Sequence, residues 1–174
     1  MANPKHPDDF LAANPHLAEF MPFLDALNAE SARGAVLVAC SFIDGQLEKI
    51  LAAFLRDEKE SAKLLSGFNA PLGSFAARIT AAFALGLITR AEYAECETLR
   101  KVRNDFAHKV TASFEDQSVK DHCARLAYAA KPYGEVEVNA RSQFTTAAVG
   151  LILHFTNRAH HVGQQQRREQ SWPY

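Results

Sequence analysis

Arg103 and His108 stand five positions apart in the run RKVRNDFAHKV, Arg100 to Val110, with Asn104 directly after the arginine. An arginine offers a planar fork of donors that suits phosphate oxygens. A histidine titrates near neutrality and can take or give a proton. Such a set could carry acid–base chemistry at a phosphate group. His108 would be general base or acid, Arg103 would stabilise charge on the phosphate oxygens, and Asn104 would orient either partner. The reaction needs no metal, and no Cys/His or carboxylate cluster stands at ligand spacing. No metal and no cofactor is therefore expected.

The element carrying these residues limits that chemistry. Leu99, Val102, Phe106 and Val110 recur at helical steps and should face a core. Arg103 lies roughly 40° from Leu99, at the edge of that stripe, whereas Arg103 and His108 are about 140° apart on an ideal helix. One helix brings both to a single phosphate only if it ends or bends near His108, or if the second copy in a homodimer completes the site.

Each residue also has a plainer explanation. An arginine at the margin of a core face needs a carboxylate. Asp44 and Glu48, one turn apart on another helix, are the expected ion-pair partners of Arg103. His108 suits a solvent-facing place near a helix C-terminus, where a partly protonated imidazole complements the dipole. Arg100, Lys101 and Lys109 add a basic patch, since four Lys/Arg in this stretch face only Asp105.

Composition sets outer bounds. The chain has 174 residues, 48% hydrophobic and 22% charged, with net charge −1. That is one ordinary globular domain without the basic excess of a DNA-binding module. Cys40, Cys96 and Cys123 are far apart and set among apolar neighbours, as small core residues are. The N-terminus lacks an apolar signal core, and the longest apolar stretch, Ala35 to Ile43, is too short to span a bilayer. A cytoplasmic protein without a membrane partner is expected.

The pattern along the chain is helical. Residues 1–15 read as a flexible N-terminal segment, 16–162 as one all-helical domain and 163–174 as a polar C-terminal tail. Leu17 to Asn28 has helical spacing, with Pro22 fit for a first turn. Ser31 caps a long central helix to about Arg56, whose wide apolar arc runs through Val36, Ala39, Ile43, Leu47, Ile50 and Phe54. Ser74 caps a further helix that Gly86 stops, and Thr89 with Glu92 forms a capping box for the helix of the motif. SFEDQSVKDHCARLAYAA predicts another helix, and Ser142 to about His161 a last one. A short strand pairing near Glu135 to Val138 is the sole β signal. The expected fold is an all-α bundle of about six or seven helices. His154, His160 and His161 lack a carboxylate in step, and Asp121 to Cys123 point three ways, so neither group reads as a site.

The blocks ESARGAVLVACSFIDGQLEKIL, PLGSFAARITAAFALGLI, LRKVRNDFAH and SFED, in that order over roughly Glu30 to Ala130, resemble the mannitol operon repressor family. Ala32 departs from the acidic residue that the family would place before Arg33-Gly34. Arg103-Asn104-x-x-x-His108 is also similar to the Arg-x-x-x-x-His signature of HEPN domains, all-helical bundles that include metal-independent dimeric ribonucleases. The first resemblance implies transcriptional regulation, and the second implies a HEPN-like bundle. No short helix pair carries a basic recognition face. The expected route is thus through a protein partner or RNA, without sequence-specific DNA binding by the isolated domain. The alternative, implied by the HEPN resemblance, is a metal-independent ribonuclease using Arg103 and His108, with the RNA's own 2′-hydroxyl attacking the adjacent phosphate.

Overall fold

The computed structural model describes residues 20–133 and 138–173, and every element in it is a helix. In chain order these are α1 (Phe20–Ala29), α2 (Ala32–Phe54), α3 (Lys59–Leu65), α4 (Phe75–Ala84), α5 (Arg90–His108), α6 (Gln117–Cys123), α7 (Ala140–Thr156) and α8 (Arg158–Gly163). The expected loose segment 1–15 and most of the expected pairing at 135–138 lie outside the described residues.

Helix α2 is the axis of the bundle. It packs on α1, α3, α4, α5, α7 and α8, which explains an apolar arc too wide for a two-layer contact. Val36, Ala39, Ile43, Leu47, Ile50, Leu51 and Phe54 are all buried. Its start is fixed by Ser31, whose hydroxyl accepts from the Gly34 N–H at 3.0 Å. From the other side, Phe144, Ala148, Leu151, Ile152 and Phe155 of α7 close the core, together with Leu99, Val102 and Phe106 of α5.

The predicted punctuation is present. Ser74 accepts from Ala77 N–H at the head of α4. Gly86 adopts φ of +72° after it, and the Leu87 N–H reaches back to the Ala82 carbonyl at 2.9 Å. Thr89 and Glu92 form the capping box in both directions.

Three elements differ from expectation. The short α3 had no signal strong enough to place it. Helix α6 stops at Cys123 instead of running on to Ala130, because the buried Glu95 carboxylate accepts the N–H groups of Ala127 (2.8 Å) and Tyr128 (3.0 Å) and so offers the backbone another partner. The last helix divides at Asn157 into α7 and α8. Beyond α8 the chain returns to α2: the Arg167 N–H donates to the Phe54 carbonyl at 2.8 Å, and its guanidinium lies 4.8 Å from the Phe54 ring.

Candidate functional site

Helix α5 positions the motif, and its end is held from outside. Leu99, Val102 and Phe106 anchor the buried face. The helix stops at His108, so Val110, expected on the same face, is instead 92% exposed. The reason is Arg33 in the first turn of α2. Its Nη1 donates to the Phe106 carbonyl, and its Nη2 lies 2.7 Å from the carbonyl oxygens of both Lys109 and Val110. They lie at a helix C-terminus, where a guanidinium fork satisfies several carbonyls together, that of Lys109 also accepting from the Ala112 N–H at 3.2 Å.

The ion pair expected at Arg103 belongs to another arginine. Arg78 of α4, only 7% exposed, sets Nη1 2.9 Å from Asp44 Oδ1 and Nη2 2.7 Å from Glu48 Oε2. Its remaining donors reach the Leu72 and Leu65 carbonyls at 2.9 Å each. The core face of α4 carries Arg78 inward beside Ile79 and Ala82, straight onto α2. Phe75, Arg78 and Ala82 are spaced three and four apart, and that spacing was a legible sign of a buried arginine.

Arg103 is half-buried, and its described side-chain hydrogen bond is to Asn104 Oδ1 at 3.2 Å. Among the described residues it has no carboxylate within ion-pair distance. Arg103 and Asn104 line one cavity of about 410 Å³ together with Arg100, Asp44 and the head of α4 from Gly73 to Ala76. His108 is exposed at the end of α5 and is not part of that wall. The structure therefore brings Arg103 and Asn104 into one concavity, whereas His108 stands apart on the surface, at a helix end.

The basic patch is partly neutralised locally. Arg100 forms a two-pronged pair with Glu97, at 3.0 and 2.8 Å, and Lys109 reaches Asp105 at 2.7 Å. Hydrogen bonds from Arg100 hold the Glu97 carboxyl below its ordinary range, against a smaller upward effect of burial. Lys101 is exposed.

A second charged centre gave no sign in the sequence beyond its capping box. Glu92 is 2% exposed, and Arg158 of α8 grips it through Nη2 at 2.7 Å and Nη1 at 3.3 Å while also donating to the Leu87 carbonyl. His154 Nδ1 lies 3.4 Å from Glu92 Oε1, beside the Tyr128 ring. The pairing spans 66 residues, so no local spacing announces it. His160 and His161 stack edge to face, and His161 meets Asn157. Among the described residues no group of three or more His, Cys, Asp or Glu is placed to hold a metal ion. No described helix is long and apolar enough to cross a membrane.

No protein-family model matches this chain, and no curated protein matches it. Among solved structures, the chain is similar to the X-ray structure of the MtlR-HPr complex from Escherichia coli, with a TM-score of 0.57 and 21% sequence identity. The likeness covers 82% of this chain and 97% of the matched one. What it shows is the fold: an all-helical bundle like that of the matched chain, shared over nearly the whole of that chain's length.

Proposed function

We propose that this chain is a transcription regulator of the mannitol operon repressor type, acting in the cytoplasm by holding a protein partner and not by reading DNA through a helix-turn-helix. One observation carries this: the fold likeness runs over nearly all of a chain solved in the MtlR-HPr complex. The four sequence blocks between Glu30 and Ala130 favour the same family. The docking surface assigned to the partner is the one around Arg103, Asn104 and His108, with the exposed Lys101, His108 and Lys109 on the last turns and at the end of the same helix. An HPr-type protein is the first partner to test, by calorimetric titration into the purified chain. A saturable complex weakened by the double change Lys101→Glu and Lys109→Glu is the expected result. Absence of that complex, or sequence-specific operator binding by the isolated protein at physiological salt, overturns the reading.

The ribonuclease reading stays second, and one observation favours it: Arg103 is not claimed by a carboxylate among the described residues, so its fork is available to phosphate. Since His108 is outside the cavity of Arg103, cleavage would require a homodimer that brings a second copy of α5 across a two-fold axis. Cleavage of RNA in excess chelator, abolished by His108→Ala, would put this reading first.

A further inference from the structure

We propose that the cavity between α4 and α5 is a binding site for a small oxyanion of the phosphate type, carried on a compact organic molecule or free. Three elements converge there. Helix α5 contributes Arg100 and Arg103, one turn apart on the same side, with the Asn104 amide beside them. The loop before α4 contributes Gly73 and Ser74, and α4 itself contributes Phe75 and Ala76. The Phe75 and Ala76 N–H groups belong to the first turn and have no acceptor among the described residues.

The arginines carry the argument. Arg103 is a half-buried cation with no carboxylate at ion-pair distance among the described residues, held at the cavity wall by one neighbouring amide. A guanidinium in that setting gains most from an anion that accepts two parallel hydrogen bonds. Arg100 keeps its place through Glu97, so it needs no rearrangement to face a ligand. Asp44 also lines the wall, but its charge is opposed by Arg78 at 2.9 Å. Among the described residues no donor is aligned for a hydrogen bond on its buried Oδ1. The wall is therefore mixed, with donors for an oxyanion and one acceptor carboxylate for a hydroxyl. A cavity of about 410 Å³ is within the range of small-molecule clefts and far larger than a bare ion requires. Both features favour a hydroxylated phosphomonoester over inorganic phosphate.

Amide-resolved NMR of the full chain tests this, with inorganic phosphate, glycerol 3-phosphate and a short single-stranded RNA as separate probes. The expected result is saturable shifts of the Gly73 to Ala76 amides and of the Arg103 Nε–H with the small phosphates. Affinity should fall about tenfold or more in Arg103→Gln, the loss expected of one charge-assisted hydrogen bond. Tighter binding of glycerol 3-phosphate assigns the site to an organic phosphate, and equal binding assigns it to the free ion; either upholds an oxyanion site. Shift mapping on the unsubstituted protein keeps the test decisive if Arg103→Gln fails to fold, with Arg100→Gln as the second variant. No saturable shift, shifts confined to other surfaces, equal affinity in a folded Arg103→Gln, or a response to RNA alone would each overturn the proposal. Partner titrations are read separately, so failure here leaves the docking reading untouched.

Discussion

Arg33 on α2 holds the end of α5 through Val110, its Nη2 lying 2.7 Å from the carbonyl oxygens of both Lys109 and Val110. The two residues are 77 positions apart in the chain, and this contact sets where the helix carrying His108 ends. Replacing Arg33 by Met should cost about 2 kcal/mol, since charge-assisted hydrogen bonds are lost and carbonyls are left without their donor. Arg33→Lys should recover little, because one ammonium cannot reproduce the fork. Urea denaturation measures the cost, and faster hydrogen exchange at Lys109 should accompany it.

Arg78 and Arg103 offer a direct contrast. Arg78 is buried against two carboxylates and two carbonyls, so Arg78→Met leaves Asp44 and Glu48 facing each other without a cation. The loss should be about 3 kcal/mol, at the low end for a broken buried pair because both carboxylates retain some contact with water. Arg103→Met should cost under about 1 kcal/mol, as expected where no buried partner is orphaned. A larger loss at Arg103 than at Arg78 would contradict the pairing described here.

The same two arginines show how far the sequence could be read. Spacing and caps placed α2, α4, α5 and α7, because Ser31, Ser74, Gly86 and Thr89 act within four residues of the helices they bound. The need for an arginine between the central helix and its neighbours was also legible, as were its partners Asp44 and Glu48. Which arginine supplied it was not. Arg103 and Arg78 both lie on or beside an apolar stripe, and the choice depends on how α4 and α5 are rotated against α2. Long-range capture by Arg33, Arg158 and Glu95 left no local trace. Val110 was misplaced for that reason: the helical pattern continues through it, but Arg33 takes up the Phe106 carbonyl, the acceptor that the Val110 N–H would need to extend the helix.

Acid should loosen the bundle through Glu92. Burial alone would raise its carboxyl, but hydrogen bonds from Arg158 and Thr89 more than offset this and hold it below its ordinary value of 4.5. A carboxyl lowered on folding contributes stability that is complete above the unfolded value and is lost as pH falls through the folded one. Thermal unfolding followed by circular dichroism should therefore show Tm declining below about pH 4.5. Glu92→Gln should lower Tm at pH 7 and flatten that acid limb, since the group that titrates is gone. An unchanged limb in the variant would place the acid sensitivity elsewhere, with Glu97 the next group to test.

The three thiols should be silent in the native state. Cys40 is buried beneath α5 with its Sγ 3.7 Å from the Leu99 carbonyl, and burial pushes its thiol up to about 12, an effect that nearby Arg103 only partly opposes. Cys123 is likewise raised to about 12 by burial, and Cys96 is raised well above its ordinary value for the same reason. Because the thiolate is the reactive form, very little of Cys40 or Cys123 carries it at pH 8, and both side chains are buried. Incubation with a thiol-reactive dye at pH 8 should label none of the three on the timescale that labels free cysteine, and all three once denaturant is added. Rapid native labelling of Cys40 would show that α5 separates from α2 far more readily than its fully buried Leu99, Val102 and Phe106 allow. In that case the cavity of Arg103 would itself be a transient opening and not a formed site.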